Sequence, residues 1–147
     1  MATETPLVKE LKVLLGTVAA YHTKAHAFHW NVEGPLFPAY HSLFNDIYSD
    51  AYGSIDQIAE EIRALDAYAP GGLKRFQELT LVKDEDRLPK ADAMITILLA
   101  DNETILKQYE TVIDEAEKQD AEGLMNFLQA RVDQHKKWSW QLRATSK

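Results

Sequence analysis

The sequence contains no cysteine among its 147 residues. Disulfide bonds and thiolate metal ligands are therefore excluded, so any metal ligands must be nitrogen or oxygen donors. No apolar run approaches the roughly 20 residues that a membrane-spanning helix needs. The first residues, MATETPLVKELKVLL, have neither a basic segment nor a small-residue cleavage site, so we expect no secretory signal. The lack of cysteine does not fix the compartment, but without a signal or a membrane span we expect a cytoplasmic protein with no membrane partner.

Positive charge is also scarce. Lysine and arginine total 16 against 23 aspartates and glutamates, which gives a formal net charge of −7. A surface of this sign repels nucleic-acid phosphates. No lysine precedes Lys9, and the final residues, RATSK, offer only Arg143 and Lys147. We therefore expect DNA binding to be weak or absent.

Apolar residues recur at steps of three and four along most of the chain, as they do in amphipathic helices. The pattern predicts four long helices, at about 5–32, 38–65, 90–118 and 120–144, and a short helix around Leu73–Leu79. Gly34 and Pro35 interrupt the first pattern, and Pro38 suits the first turn of the next helix. Apolar residues make up 46% of the chain, and its length suits one domain over residues 1–147.

The connections between these helices predict the topology. Short loops join the first helix to the second and the third to the fourth, so each of these pairs should be antiparallel. The connection between the second and third helices is long enough to run the length of a bundle and make those two helices parallel. We therefore predict an all-α, ferritin-like four-helix bundle with a long crossover that contains the short helix.

The motif Glu-x-x-His, which builds di-metal sites inside such bundles, does not occur in this chain. Four of the five histidines nevertheless lie in one segment that ends at His41, on both sides of the Gly34–Pro35 break. Any metal site should therefore lie outside the usual position in the bundle interior.

The second predicted helix has a polar face apart from its apolar stripe. With His41 at 0° and about 100° per residue, Asn45 lies near 40°, Asp56 near 60° and Glu60 near 100°, whereas the apolar stripe centres near 290°. Along the helix axis, His41 and Asp56 are about 22 Å apart. One helix cannot bring these side chains to a single ion.

A two-fold axis would bring them together. A second copy of this helix, laid antiparallel and crossing near Ser49, places His41 of one subunit beside Asp56 and Glu60 of the other. His29 could join His41 across the short loop. Two imidazoles and two carboxylates suit Fe(II), and also Zn(II), Mn(II) or Co(II). The ordinary alternative is that the carboxylates form a solvated acidic face and that His41 is a surface histidine or one hydrogen-bonded to a neighbouring group.

The remaining histidines are open to two interpretations. His22, His26 and His29 fall at i, i+4 and i+7, so they share one side of the first helix. They could form an accessory metal or access site. The interpretation we prefer is structural. His26 would be a buried histidine whose hydrogen bond supports a metal ligand, and His22 would extend the apolar stripe. His135, next to two lysines, is predicted on a helix surface.

The segment FHWNVEGPLFPAYHSLF, followed by SIDQIAEEIRALD, resembles the signature of the Dps family, the mini-ferritins named as DNA-binding proteins from starved cells. The matching features are the HWN triplet, the Gly34–Pro35 turn, His41 twelve residues after His29, and the acidic pair in DQIAEEIRAL. The last helix, HKKWSWQLRA, is also similar. The resemblance implies a hollow dodecamer built from two-fold dimers. It implies Fe(II) oxidation, preferentially with hydrogen peroxide rather than oxygen, and storage of ferric iron that protects against oxidative damage.

The resemblance also implies roles for particular residues. His29 and His41 would be ligands from one subunit, and Asp56 and Glu60 would be ligands from its partner. Trp30 is similar to a family tryptophan that is thought to intercept radicals.

One position departs from the family, because Asn45 stands where an acidic residue is common. An amide is a weaker ligand and would weaken the second iron position. The alternative function is therefore a non-catalytic cage that binds a metal such as Zn(II).

The start of the last helix is the remaining candidate region. In the family this region lines acidic pores through which iron passes, and Asp120 and Glu122 are the candidates here. Asn126 occupies a position where aspartate is frequent. The alternative interpretation is local, with Asp120 as the helix N-cap and Glu122 as a first-turn carboxylate.

Overall fold

Five α-helices and no β-strand make up residues 4–147, the part of the chain that this computed structural model describes. The helices are α1 (Pro6–Asn31), α2 (Phe37–Ala64), α3 (Leu73–Leu79), α4 (Ala91–Lys118) and α5 (Glu122–Ser146). The predicted all-α class is confirmed, and each helix ends within two residues of its predicted boundary.

Local chemistry explains where α1 begins and where α2 follows it. The Thr5 hydroxyl accepts a hydrogen bond from the Val8 amide at 3.2 Å and caps α1. After α1, Gly34 adopts a φ of 121°, which a side chain would disfavour. Pro38 lies in the first turn of α2, where backbone N–H groups have no acceptor within the helix, so its lack of an N–H costs no hydrogen bond. The resulting loop is short, so the end of α1 lies next to the start of α2.

The core lies between two helical hairpins. α1 packs along α2 and also contacts α3 and α4, while α4 packs along α5. Large side chains from all four long helices are fully buried along this interface, among them Tyr21, Phe44, Ile58, Tyr109 and Leu128. The apolar stripes recognised in the sequence are therefore the faces that meet in the bundle.

The crossover between α2 and α4 is fixed to α1 at Gly16. A Cβ atom on Gly16 would lie 2.8 Å from the Cβ of Leu79 in α3, so only glycine permits this close packing. The adjacent Thr17 hydroxyl accepts a hydrogen bond at 3.0 Å from the Leu81 amide, just after α3. The crossover is thus a packed part of the bundle. Within residues 4–147, none of the helices combines the length and the apolar content needed to cross a membrane.

The turn between α4 and α5 corrects one detail of the sequence analysis. Asp120 has a φ of 53° and lies in the turn, and the N-cap position of α5 is occupied by Ala121. The interpretation of Asp120 as the helix cap is therefore wrong. Glu122 is the first residue of α5, and both carboxylates are exposed.

Candidate metal site

His29, in the last turn of α1, and His41, near the start of α2, face each other across the loop. The Nδ1 atom of each ring lies 2.7 Å from the backbone carbonyl oxygen of the other residue. The two rings stack with their centroids 3.8 Å apart and their planes 14° from parallel. The turn that brings these residues together is the Gly34–Pro35 break recognised in the sequence.

This reciprocal arrangement decides which nitrogen of each ring can bind an ion. A carbonyl oxygen only accepts, so each Nδ1 must carry the proton and donate it. The lone pair of a neutral ring then lies on Nε2, and neither Nε2 atom makes a hydrogen bond to the described residues. Histidines that bind metals usually donate their other N–H to a carbonyl or carboxylate in this way. The histidine pair can therefore present two nitrogen donors.

Aromatic side chains surround the pair. The His26 ring stacks on Tyr48 with a centroid separation of 4.1 Å and an angle of 16°, and it also lies 4.1 Å from the Trp30 ring. Burial, with the nearby His22 and His29, lowers the pKa of His26, so its neutral form is favoured. Trp30 itself is 64% exposed. The exposed indole of Trp30 is thus separated from His29 only by the ring of His26.

The predicted oxygen ligands lie elsewhere on α2. Asp56 and Glu60 are exposed and one helical turn apart. α2 is continuous over Phe37–Ala64, so the separation of about 22 Å between His41 and Asp56 applies to the folded chain. Asn45 is half-buried, one turn after His41. Over residues 4–147, no three histidine, aspartate or glutamate side chains are grouped so that they could hold a metal ion.

His26 departs from the structural role preferred in the sequence analysis, because it is half-buried and lacks the predicted hydrogen bond within residues 4–147. His26 makes no hydrogen bond to the described residues and is held by ring stacking instead. His22 is half-buried, and its Nδ1 atom lies 3.2 Å from the carbonyl oxygen of Tyr48. Its ring is 5.1 Å from that of Tyr52.

His135 is the clear error of the sequence analysis, because it is fully buried. Its Nδ1 atom donates to the Asn102 side-chain oxygen at 2.7 Å, and its Nε2 atom accepts from Arg131 at 3.1 Å. Burial, together with the positive charge of Arg131, lowers the pKa of His135 to about 3. The neighbouring lysines suggested a surface. The spacing of Leu128, His135 and Leu142 at steps of seven was the signal for the core.

Ion pairs join the helices inside the bundle. Arg131 of α5 binds both carboxylate oxygens of Asp50 of α2, at 2.7 and 2.8 Å, and Trp138 donates to Asp50 at 2.9 Å. Burial tends to raise the pKa of Asp50, but these hydrogen bonds outweigh it and lower that pKa. Lys24 and Asp101 form a second pair at 2.7 Å between α1 and α4. These two largely buried carboxylates are thus each paired with a cationic side chain.

Comparisons with known proteins agree with this architecture. Residues 8–147 match the ferritin-like domain family. An uncharacterized low temperature-induced protein of Nostoc is 32% identical over 82% of this chain and 69% of its own length. DNA protection during starvation protein 2 of Bacillus anthracis is 30% identical over 83% of this chain and 84% of its own. The crystal structure of Dps from Staphylococcus aureus superposes with a TM-score of 0.92 at 28% identity, covering 96% of this chain and 95% of that one.

Proposed function

This chain belongs to the ferritin-like family as a mini-ferritin of the Dps group, and on that basis we propose that it oxidises Fe(II) and stores the ferric product. The oxidation site is shared between two subunits, and the iron is kept inside a hollow cytoplasmic homododecamer. The observation that carries the proposal is the His29–His41 pair, whose crossed hydrogen bonds leave both Nε2 atoms available to a cation.

Two nitrogen donors do not complete an iron site. Iron and similar divalent ions take four to six ligands, and carboxylates are the usual complement to imidazole. Asp56 and Glu60 supply two carboxylates on neighbouring turns of α2, too far along the helix to reach His41 of the same chain. A two-fold axis that crosses two α2 helices near Ser49 places these carboxylates beside the partner's histidine pair. Each dimer then contains two identical mixed sites.

The proposed reaction is a two-electron reduction of peroxide. Two Fe(II) ions, bound as substrate, reduce one hydrogen peroxide molecule and become two Fe(III) ions. With two waters, the products are two ferric oxyhydroxide units and four protons. Because both electrons reach one peroxide molecule, no hydroxyl radical is released. Trp30, exposed and close to His26, is placed to reduce any one-electron oxidant that escapes.

The acidic side chains at the α4–α5 turn are the proposed entry route for Fe(II). Asp120, in the turn, and Glu122, the first residue of α5, are both exposed. We assign them to the pores through which Fe(II) enters the cage, because carboxylates attract divalent cations by their charge.

Asn45 favours one alternative function. An amide oxygen carries no charge and binds a second cation more weakly than a carboxylate would. A cage that holds one divalent ion such as Zn(II) or Mn(II) per site, without rapid turnover, would also fit the donors present. The two functions differ in whether the protein accelerates iron oxidation.

We expect Fe(II) added anaerobically to be oxidised within seconds after hydrogen peroxide is supplied, with growth of the ferric absorbance. The same sample should have the native mass of a dodecamer. A Glu61→Ala variant is a suitable comparison, because it retains Trp30 and all four proposed ligands and should oxidise Fe(II) normally. A protein that assembles and binds Zn(II) but oxidises Fe(II) no faster than buffer would favour the alternative. A native mass of one chain would contradict the shared site.

We further expect no retardation of plasmid DNA in gels at physiological salt. The net charge is −7, and residues 1–5 contain neither lysine nor arginine. Lys9 already lies within α1. A strong shift that weakens steeply with added salt would contradict this expectation and would reveal a basic surface on the assembly.

A further inference from the structure

A second pair of imidazoles lies one turn further back on α1. His22 and His26 are at i and i+4, their ring centroids are 5.7 Å apart, and both residues are half-buried. We propose that His22 and His26 form an accessory site for a borderline divalent cation such as Zn(II) or Co(II), separate from the His29–His41 pair. This site does not depend on iron oxidation, and all of its protein ligands come from one chain.

The spacing of the two rings suits a shared cation. A metal–nitrogen bond of about 2.1 Å places the centre of an imidazole ring roughly 3.2 Å from the ion. Two rings can then share one ion while their centroids are at most roughly 6.4 Å apart. The separation of 5.7 Å between His22 and His26 lies inside this limit. Histidines at i and i+4 of one helix face are a known arrangement for binding zinc.

Each ring is also prepared for binding by its surroundings. The Nδ1 atom of His22 donates to the Tyr48 carbonyl oxygen at 3.2 Å, which leaves the lone pair on Nε2. Stacking of His26 on Tyr48 holds the second ring, and neither of its nitrogens has a hydrogen-bond partner among the described residues. Tyr48 therefore orients both rings, one through its backbone and the other through its side chain.

A cavity beside His22 supplies room for the rest of the coordination shell. It has a volume of about 740 Å³ and is lined by His22 and, from the crossover, by Gln77 and Asp84. Thr23 of α1 also lines this cavity, whereas His26 does not. We expect water that enters through this cavity, with a lining oxygen where one is in reach, to complete the shell of a cation held by two imidazoles.

The two histidine pairs are distinct as sites. The centroids of His26 and His29 are 6.3 Å apart, further than the 5.7 Å between His22 and His26, so distance alone does not separate the two pairs. The Nδ1 proton of His29 is committed to the His41 carbonyl oxygen, so its free nitrogen serves the other pair. Occupation of the two sites can therefore be measured separately.

Zn(II) titration of a His29→Ala/His41→Ala variant should show about one residual zinc per chain, since the proposed oxidation site has been removed. Adding His22→Gln should lower the zinc affinity of that residual site more than about tenfold. Loss of a group that only supports a ligand already costs about tenfold or more, and here the ligand itself is lost. Tyr52→Phe, which removes only a hydroxyl beside the cavity, is the matched control and should bind as the parent does. Equal zinc binding with and without His22 would overturn the proposal.

A second measurement avoids substitutions at His22. Zn(II) should protect His22 and His26 of the unaltered protein from carbethoxylation, as read by peptide mass mapping. The unoccupied protein should be modified at both. Failure of zinc to protect either residue would also overturn the proposal, while iron oxidation at the other pair would be unaffected.

Discussion

Mixed dimers of His41→Ala and Asp56→Ala chains should regain the Fe(II) oxidation that neither variant has alone. Each single variant should lose about 100-fold or more in the initial rate, because each proposed site then lacks a ligand. Both residues lie off the buried stripe of α2, so the bundle should remain folded. In a mixed dimer, one site combines both substitutions and the other is intact. Random association makes about half of the dimers mixed, so about a quarter of the parental rate should return.

The mixing experiment distinguishes a shared site from any site within one chain. The variants should be dissociated, combined and reassembled, and mass spectrometry should verify the mixed species before rates are measured. Glu61→Ala is a matched control, because this residue neighbours Glu60 in sequence but lies about 100° around the helix. It should retain the parental rate. If verified mixed dimers recover no activity, the two-fold arrangement of α2 is wrong.

Arg131→Met should destabilise the fold by about 3–5 kcal/mol, the usual cost of removing one member of a buried ion pair. The side chains of Arg131 and Asp50 are only 12% and 23% exposed. Without Arg131, the Asp50 carboxylate retains only the Trp138 donor, and His135 loses the donor to its Nε2 atom. Urea unfolding at a fixed protein concentration measures the loss.

Two further variants test whether the ion pair is the cause. Asp50→Leu combined with Arg131→Met removes both charges and should recover much of the lost stability, because no buried charge is left unpaired. Arg143→Met is the exposed control. Its partner Glu103 is 3.7 Å away and both side chains are about half exposed, so the cost should stay below about 1 kcal/mol. A loss of similar size in both single variants would contradict the assignment.

The fold could be predicted closely because its signals are local. Helical periodicity, together with the Gly34–Pro35 break, gave the helix boundaries, and the length of the crossover gave the topology. The position of His135 was missed because its charged neighbours were given more weight than its place in the apolar stripe. The φ of Asp120 was missed because aspartate is common both at helix caps and in left-handed turns.

The candidate site was predictable only in part. The proximity of His29 and His41 followed from the short loop, whereas their crossed hydrogen bonds depend on ring orientation, which no sequence pattern specifies. In the proposed site, the carboxylate ligands come from a second chain. The angular positions of residues on α2 indicate which face is free to contact a second α2 helix. The contacts that would test this arrangement lie between two chains and are absent from one chain.

The crossed bonds between His29 and His41 also affect the thermodynamics of cation binding. Both imidazoles lose their rotational freedom when the α1–α2 hairpin forms, before any ion arrives. Ordering a side chain on binding costs about 0.5–1.5 kcal/mol, and here that entropy is lost during folding. The histidine half of the proposed site is therefore preorganised, and more of the interaction energy with the ion is expressed as affinity.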